Sequence, residues 1–487
     1  MHDKYETAEN QGIDCRKYAD CDTRPGKGDG FCDSFIGYKC STKCTSDKQC
    51  VDDGEYHYIC RPDGRCAPDT FVTVWKIPED NKILLLNTDK AQKCDFSIDW
   101  GDGKEERYNC AKENKNCKYL EHIYQTAGTY TVKIKGTLDG FGWTPQRNNP
   151  FSLPDYSTNG VTNQDLSPKK LAEVKAFGPV GLGRYAFAFC TNLKALSKVD
   201  IPDASKMTLE GAFCNAGTFN QPLEHWDVSH VTNMQSLFRA DGSFNQPLDH
   251  WDTSNVTLMG GEANNFMGHP GFDAEGVFQD ATSFNQPLEH WDTTNVTTMA
   301  YMFSGAYKFN QPIGNWTTTS VTSMAHLFDD AHAFDQPLNE WDTSNVTSMQ
   351  FMFRSARSFN QEIENWNVRK VTNMSYMFQN AYRFNKPLNR WVLGSVKNFD
   401  SMFAGKDNQH FTSFNQPLYN WNVAGAENIQ MMFQYNLFFD QDISMWTLDN
   451  VKKYSNVFKG ARISEENYCK IVKAWNLGSL GLDYTCE

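Results

Sequence analysis

The chain has 487 residues, of which 40% are hydrophobic and 14% aromatic, and a formal charge of −13. That length exceeds what one ordinary core organises, so several domains or a repeat array are expected, and the composition excludes extensive disorder. No run of Lys and Arg is long enough to neutralise successive phosphates, which argues against a nucleic-acid partner, and no apolar run reaches the roughly 18–20 residues of a membrane span.

Residues 1–67 hold eight of the fifteen cysteines: Cys15, Cys21, Cys32, Cys40, Cys44, Cys50, Cys60 and Cys66. With so few aliphatic residues, such a segment is read as a small disulfide-stapled module, which requires an oxidising compartment. The spacings lack paired C-x2-C knuckles, so zinc is the lesser reading. The Pro-Asp-Gly turn between Cys60 and Cys66 suits a disulfide-closed hairpin. The polar start lacks the apolar core of a signal peptide; a signal is expected to have been removed or left out, and a lipid or covalent anchor stays open.

Residues 68–145 change to two-residue alternation: Phe71, Thr73 and Trp75, then Phe96, Ile98 and Trp100, then Tyr130, Val132 and Ile134. This alternation predicts half-buried strands. The turn Asp99-Trp100-Gly101-Asp102-Gly103 and the run from His122 to Val132 resemble the polycystic-kidney-disease (PKD) type of immunoglobulin-like sandwich. Asp99 and Asp102 are expected to cap backbone in that turn, with calcium ligation as the rival reading.

Residues 146–462 are dominated by a repeat. Trp226, Trp251, Trp291, Trp316, Trp341, Trp366, Trp391, Trp421 and Trp446 recur at steps of 25, interrupted by insertions of 15 and 5 residues. A unit such as Phe284-Asn-Gln-Pro-Leu-Glu-His-Trp291-Asp-Thr-Thr-Asn-Val-Thr-Thr-Met299-Ala-Tyr-Met-Phe303-Ser-Gly-Ala306 cannot bury its large groups alone, so neighbouring units must share a core. The stretch Gln286–Trp291 reads as a short strand. Asp292 to Asn295 reads as N-cap chemistry, and Val296, Met299, Met302, Phe303 and Ala306 as helical spacing. The expected fold is therefore an α/β repeat solenoid, leucine-rich-repeat-like and right-handed by analogy, preceded by an all-β sandwich and the cysteine-rich module. Residues 463–487 are read as a C-terminal cap.

The string Phe-Asn-Gln-Pro-Leu…Trp-Asp-Thr-Ser-Asn-Val-Thr-x-Met…Met-Phe strongly resembles the BspA-like bacterial surface proteins, a divergent leucine-rich-repeat family. The resemblance covers roughly residues 68–462 and implies a cell-surface protein engaged in adhesion. The cysteine-rich head departs from that family's pattern, so its contribution is not implied.

Several features invite a binding role. His225, His250 and His290 precede the tryptophan in three successive units, beside Glu224, Asp249 and Glu289, and in-register coils would set them in a ladder. Phe266, Met267 and Phe272 lie in the longer insertion, where repeat proteins often place recognition. Cys190 with Cys214, and Cys469 with Cys486, are disulfide candidates. Asn-x-Ser/Thr sequons begin at Asn255, Asn295, Asn315, Asn345 and Asn373, and most recur at the helix-capping position of the unit, so structure explains them before glycosylation does. No catalytic motif, metal set or cofactor is expected. The leading expectation is a non-catalytic secreted or surface protein that binds an extracellular protein or glycan. A self-associating surface filament or layer is the alternative, and a polysaccharide-active enzyme a distant third.

Overall fold

The computed structural model describes residues 46–50, 54–61, 65–80, 82–87, 94–109, 119–138, 140–142, 167–261, 276–407, 409–477 and 480–486. They fall in two units, Met1–Val231 and Thr232–Glu487.

In the first unit the alternating segments form strands where their period demands. The hairpin β1 (Tyr58–Cys60) and β2 (Cys66–Pro68) comes first, followed by β3 (Thr70–Ile77), β4 (Ile83–Asn87), β5 (Cys94–Asp99), β6 (Glu105–Asn109), β7 (Tyr119–Ile123) and β8 (Gly128–Leu138). The short helix α1 (Ser167–Lys170) then leads into β9 (Leu171–Ala176). One antiparallel sheet runs β6-β5-β8-β3-β9, and β4 pairs with β7. β3 lies between β8 and β9 and is buried on both faces: Phe71 and Trp75 on one, Val72 and Val74 on the other. β9, which shields one side of β3, comes from within the segment 146–462 assigned to the repeats.

The Asp99–Gly103 turn is tied as a backbone cap. Asp99 Oδ1 accepts from Gly101 N (2.9 Å) and Asp102 Oδ1 from Lys104 N (3.2 Å), while Asp102 Oδ2 lies 2.9 Å from His122 Nε2. The His122 ring stacks on Trp100 at 4.6 Å.

Cys66 is joined to Cys50, so the β1–β2 hairpin is not closed by a Cys60–Cys66 bond, although those two residues face each other in register. The hairpin is fastened instead by arginines. Buried Arg61 donates from one terminal nitrogen to the carbonyls of Ile201 (2.6 Å) and Gly178 (3.2 Å), and Arg65 pairs with Asp227 at 2.8 Å. Beneath Arg61 the fully buried Asp200 accepts from Phe177 N, Gly178 N and Ser197 Oγ; burial raises its pKa, and the Arg61 charge works against that rise.

The repeats correct the expected α/β solenoid. Among the described residues only two α-helices occur, α1 and α2 (Glu465–Trp475), and neither lies in a repeat unit. No strand forms between Gln286 and Trp291 either; each unit is built from turns. The N–H groups of Met299, Tyr301, Phe303 and Gly305 donate to the carbonyls of Ser323, Ala325, Leu327 and Asp329 in the next unit. Those of Met302, Ser304 and Ala306 donate three residues back within their own unit. A helix would send every N–H four residues back. Here alternate groups are shared with a neighbour, which yields the same three-and-four residue spacing of inward side chains without a helix.

The alternation requires a left-handed residue at two places per unit, such as Tyr301 (φ 62°) and Gly305 (φ 70°), or His326 (φ 55°) and Asp330 (φ 57°). For residues with a Cβ this costs on the order of 1–2 kcal/mol each, which inter-unit hydrogen bonds and packing must offset. Asp292 is not a helix N-cap: its Oδ1 accepts from Thr294 N at 2.9 Å, an Asx turn. The parallel pairing in the second unit is one bridge per repeat, from Asn233 to Leu258, Thr298, Ser323, Ser348, Asn373, Asn398, Asn428 and Lys453, with one further bridge between Thr412 and Asn436.

The repeated letters are the hydrogen-bonding and stacking code of this column. Each Asn of Phe-Asn-Gln accepts from the same position one unit on: Asn285 Oδ1 from Asn310 N (2.9 Å) and also from Gln311 Nε2 (3.0 Å). From Trp291 to Trp446 the tryptophan indoles donate to the preceding unit, as Trp316 Nε1 does to Leu288 O (2.9 Å) and Trp341 Nε1 to Ile313 O (3.0 Å). The phenylalanines stack in rows, Phe303 on Phe328 at 5.8 Å and Phe309 on Phe334 at 6.0 Å. Sequon amides are likewise engaged: Asn295 Nδ2 donates to Ser254 O and Asn345 Nδ2 to Thr319 O.

α2 closes the far end. Ser464 caps its N-terminus, Trp475 stacks on Trp446 at 6.0 Å, and a Cys469–Cys486 disulfide bridges the helix to the tail, as the spacing predicts. Cys190 and Cys214, expected to pair, are buried as thiols instead. No helix among the described residues is long and apolar enough to cross a membrane.

Candidate recognition surface

With Phe, Trp, Met, Val and Ala turned inward, specificity must come from positions the repeat leaves variable. Two such positions follow each inward methionine. Two residues on stand Tyr301, His326, Phe351 and Tyr376, half-buried and left-handed. Eight residues on stand Tyr307, His332, Arg357 and Tyr382, on the outer edge of the turn ribbon.

The inner row forms a continuous stack: Tyr301 on His326 at 4.2 Å, His326 on Phe351 at 4.3 Å, Phe351 on Tyr376 at 4.5 Å. Arg354 lies over Phe351, 5.0 Å from its centroid, and makes a two-pronged contact with Asp329 at 2.6 and 2.8 Å. Burial works against the Arg354 charge, but Asp329 and Asp330 outweigh it and raise its pKa. His326 Nδ1 sits 2.8 Å from Asp329 Oδ2. The inner row is therefore tied down, and offers mainly ring edges.

The outer row is more open. Tyr307, 45% exposed, stacks on His332 at 4.6 Å; Arg357 lies over Tyr382 at 5.8 Å; Tyr382 meets His410 at 6.4 Å. His410 belongs to the shorter insertion, held by its contact with Asp407 (2.9 Å). Its neighbour Phe411 packs on Phe438, 52% exposed, at 5.7 Å. Together these residues trace an aromatic strip along the column. Burial, then the charge of Arg357, lowers the His332 pKa, so that imidazole is neutral at pH 7.

The sequence-derived candidates are distributed differently. His250 and His290 are exposed and adjacent, ring centroids 6.3 Å apart, and Asp249 Oδ2 lies 2.5 Å from His290 Nδ1. The Asp249 hydrogen bond and charge raise the His290 pKa. His225 is half-buried in the other unit. Phe266, Met267 and Phe272 lie outside the described residues. Among the described residues no group of three His, Cys, Asp or Glu is placed to hold a metal ion.

A reading anchored on tryptophan finds the histidines before it and misses the strip. The strip's residues differ in type from unit to unit, so they form no motif. Its legible signal is an aromatic or Arg eighth after the methionine in four consecutive units, off the core's spacing.

A family model described as "Mycoplasma protein of unknown function, DUF285" matches residues 184–268, 271–360, 313–412 and 361–475. The first of these matches begins where the turn pattern does: Tyr185 (φ 56°) donates to Glu210 O and Phe187 to Ala212 O. No curated protein and no solved structure matches the chain.

Proposed function

The chain belongs to this repeat family, and we propose that it is a non-catalytic extracellular binding protein whose aromatic strip meets a protein or glycan ligand. The observation that carries the reading is the row of outer contacts along successive units: Tyr307 on His332, Arg357 over Tyr382, Tyr382 beside His410, and Phe411 on Phe438. Tyrosine, arginine and other aromatics are the residues on which binding energy concentrates. A core made of identical rows has no structural need for them at an outer position. Disulfides at Cys50–Cys66 and Cys469–Cys486 support an oxidising, extracellular setting. The likeness of the repeat string to BspA-like surface proteins, taken for the string and not for a leucine-rich-repeat fold, points toward adhesion.

Arrays of extracellular-matrix proteins and glycans test this, with the wild-type chain beside a Y307A/Y382A/F438A variant. Saturable binding that the triple variant weakens at least about tenfold, as loss of aromatic anchors does, is the expected result. Binding that the variant leaves unchanged sinks the assignment of the strip, and no binding with concentration-dependent polymers in sedimentation favours a surface assembly instead.

A further inference from the structure

The strip carries charge of a sign opposite to the chain's. Lys308 follows Tyr307, Arg383 follows Tyr382, and Arg357 lies between them; all three are exposed. Among the described residues none of the three is held in a salt bridge, while acids close to the strip are engaged: Asp330 with Arg354 (3.7 Å) and Asp407 with His410. In a chain of net charge −13 this leaves a local row of available cations flanked by ring edges and phenolic hydroxyls.

From this we infer that the ligand is an acidic linear polysaccharide, lying along the column with its sulfate or carboxylate groups on Lys308, Arg357 and Arg383. The inference rests on the reading of the strip as the binding face. Adjacent coils joined by parallel bridges lie about 4.8 Å apart, so Lys308 and Arg357, two coils apart, stand roughly 10 Å apart along the axis, comparable to the repeat of a linear disaccharide. The rings stack on one another and present edges, hydroxyls and cations, which suits a hydroxyl-rich polyanion. An extended peptide would instead need an open strand edge or side-chain pockets. The turn ribbon offers neither, since the backbone N–H groups of Phe351, Phe353 and Ser355 already donate to the carbonyls of Ser375, Met377 and Gln379 in the adjoining unit.

The test measures retention of the full chain on immobilised heparin, polygalacturonate and neutral dextran of matched length, for wild type and for Arg357→Gln with Arg383→Gln. Wild type is expected to bind heparin or polygalacturonate and not dextran, with affinity falling steeply as salt rises. The double Gln variant is expected to bind about tenfold more weakly, the loss of two exposed ion pairs. The preferred polyanion distinguishes sulfate from carboxylate. Absence of binding to both polyanions at low salt, or binding that the double variant leaves intact, overturns the inference. If the chain then still captures a protein or neutral glycan and loses it in Y307A/Y382A/F438A, the polyanion claim alone has failed; if the triple variant changes nothing, the strip reading has failed with it.

Discussion

Asp241 occupies a position that the next five units give to alanine: Ala281, Ala306, Ala331, Ala356 and Ala381. It is fully buried; Oδ1 accepts from Ser243 N at 3.3 Å, and Oδ2 has no hydrogen-bond partner among the described residues. Burial pushes its carboxyl up to about 7 from the ordinary 3.8, against the pull of the Ser243 and Phe244 amides. Because the folded state holds its proton more tightly than the unfolded chain, stability from this group is fully present below about pH 4 and is lost as pH rises to 7. At 1.36 kcal/mol per pH unit, the shift of 7 − 3.8 corresponds to about 4 kcal/mol of destabilisation at pH 8. Asp241→Ala removes that penalty and forfeits a hydrogen bond worth about 1 kcal/mol. The variant should therefore be about 3 kcal/mol more stable at pH 8 and equal or slightly less stable at pH 4. Denaturation monitored by hydrogen exchange in residues 232–260 reads this directly. A wild-type-to-variant difference that is the same at both pH values refutes the reasoning.

Three further outcomes follow from other parts of the molecule. Gly136 in β8 has φ 120°, and a Cβ there would meet Asp95 O at 2.3 Å and Phe96 Cα at 2.8 Å, so Gly136→Ala should destabilise the sheet by more than about 2 kcal/mol in thermal unfolding of that unit. Trp341→Phe removes an indole bond to Ile313 O, which then keeps only the Trp316 N–H at 3.3 Å; a loss of about 1 kcal/mol is expected in denaturant titration. His290 should titrate above its ordinary range by NMR and return toward it in Asp249→Asn, because the hydrogen bond to that carboxylate is the first cause of the shift.

The sequence carried the strands and the repeat period plainly, because Phe71, Phe96 and Tyr130 alternate and the tryptophans mark each unit. It did not reveal the backbone of the repeat. Val296, Met299, Met302, Phe303 and Ala306 are spaced as on a helix, and Asp292 resembles a cap; a two-turn ribbon with left-handed corners at Tyr301 and Gly305 places the same residues inward. The distinction lies in where alternate N–H groups go, which is a property of neighbouring units and not of any one. Left-handed aromatic residues are a poor local choice, so propensity pointed away from the observed fold. Cys190 and Cys214 lie 24 residues apart, about one coil, yet both remain thiols, because adjacency in a stack does not by itself bring two sulfurs together. Of the candidate site, His250 and His290 were legible because they sit in register beside the tryptophan, whereas the outer strip depends on non-repeating residues and on an insertion that brings His410 and Phe411 against Tyr382 and Phe438.

The most direct measurement is hydrogen exchange of the full chain with and without the ligand captured on the array. Slowed exchange is expected in the segments carrying the strip, 301–308, 326–333, 351–358, 376–383 and 405–411. Slowing confined to the rows around His250 and His290, or to the coils of the first unit, would contradict it.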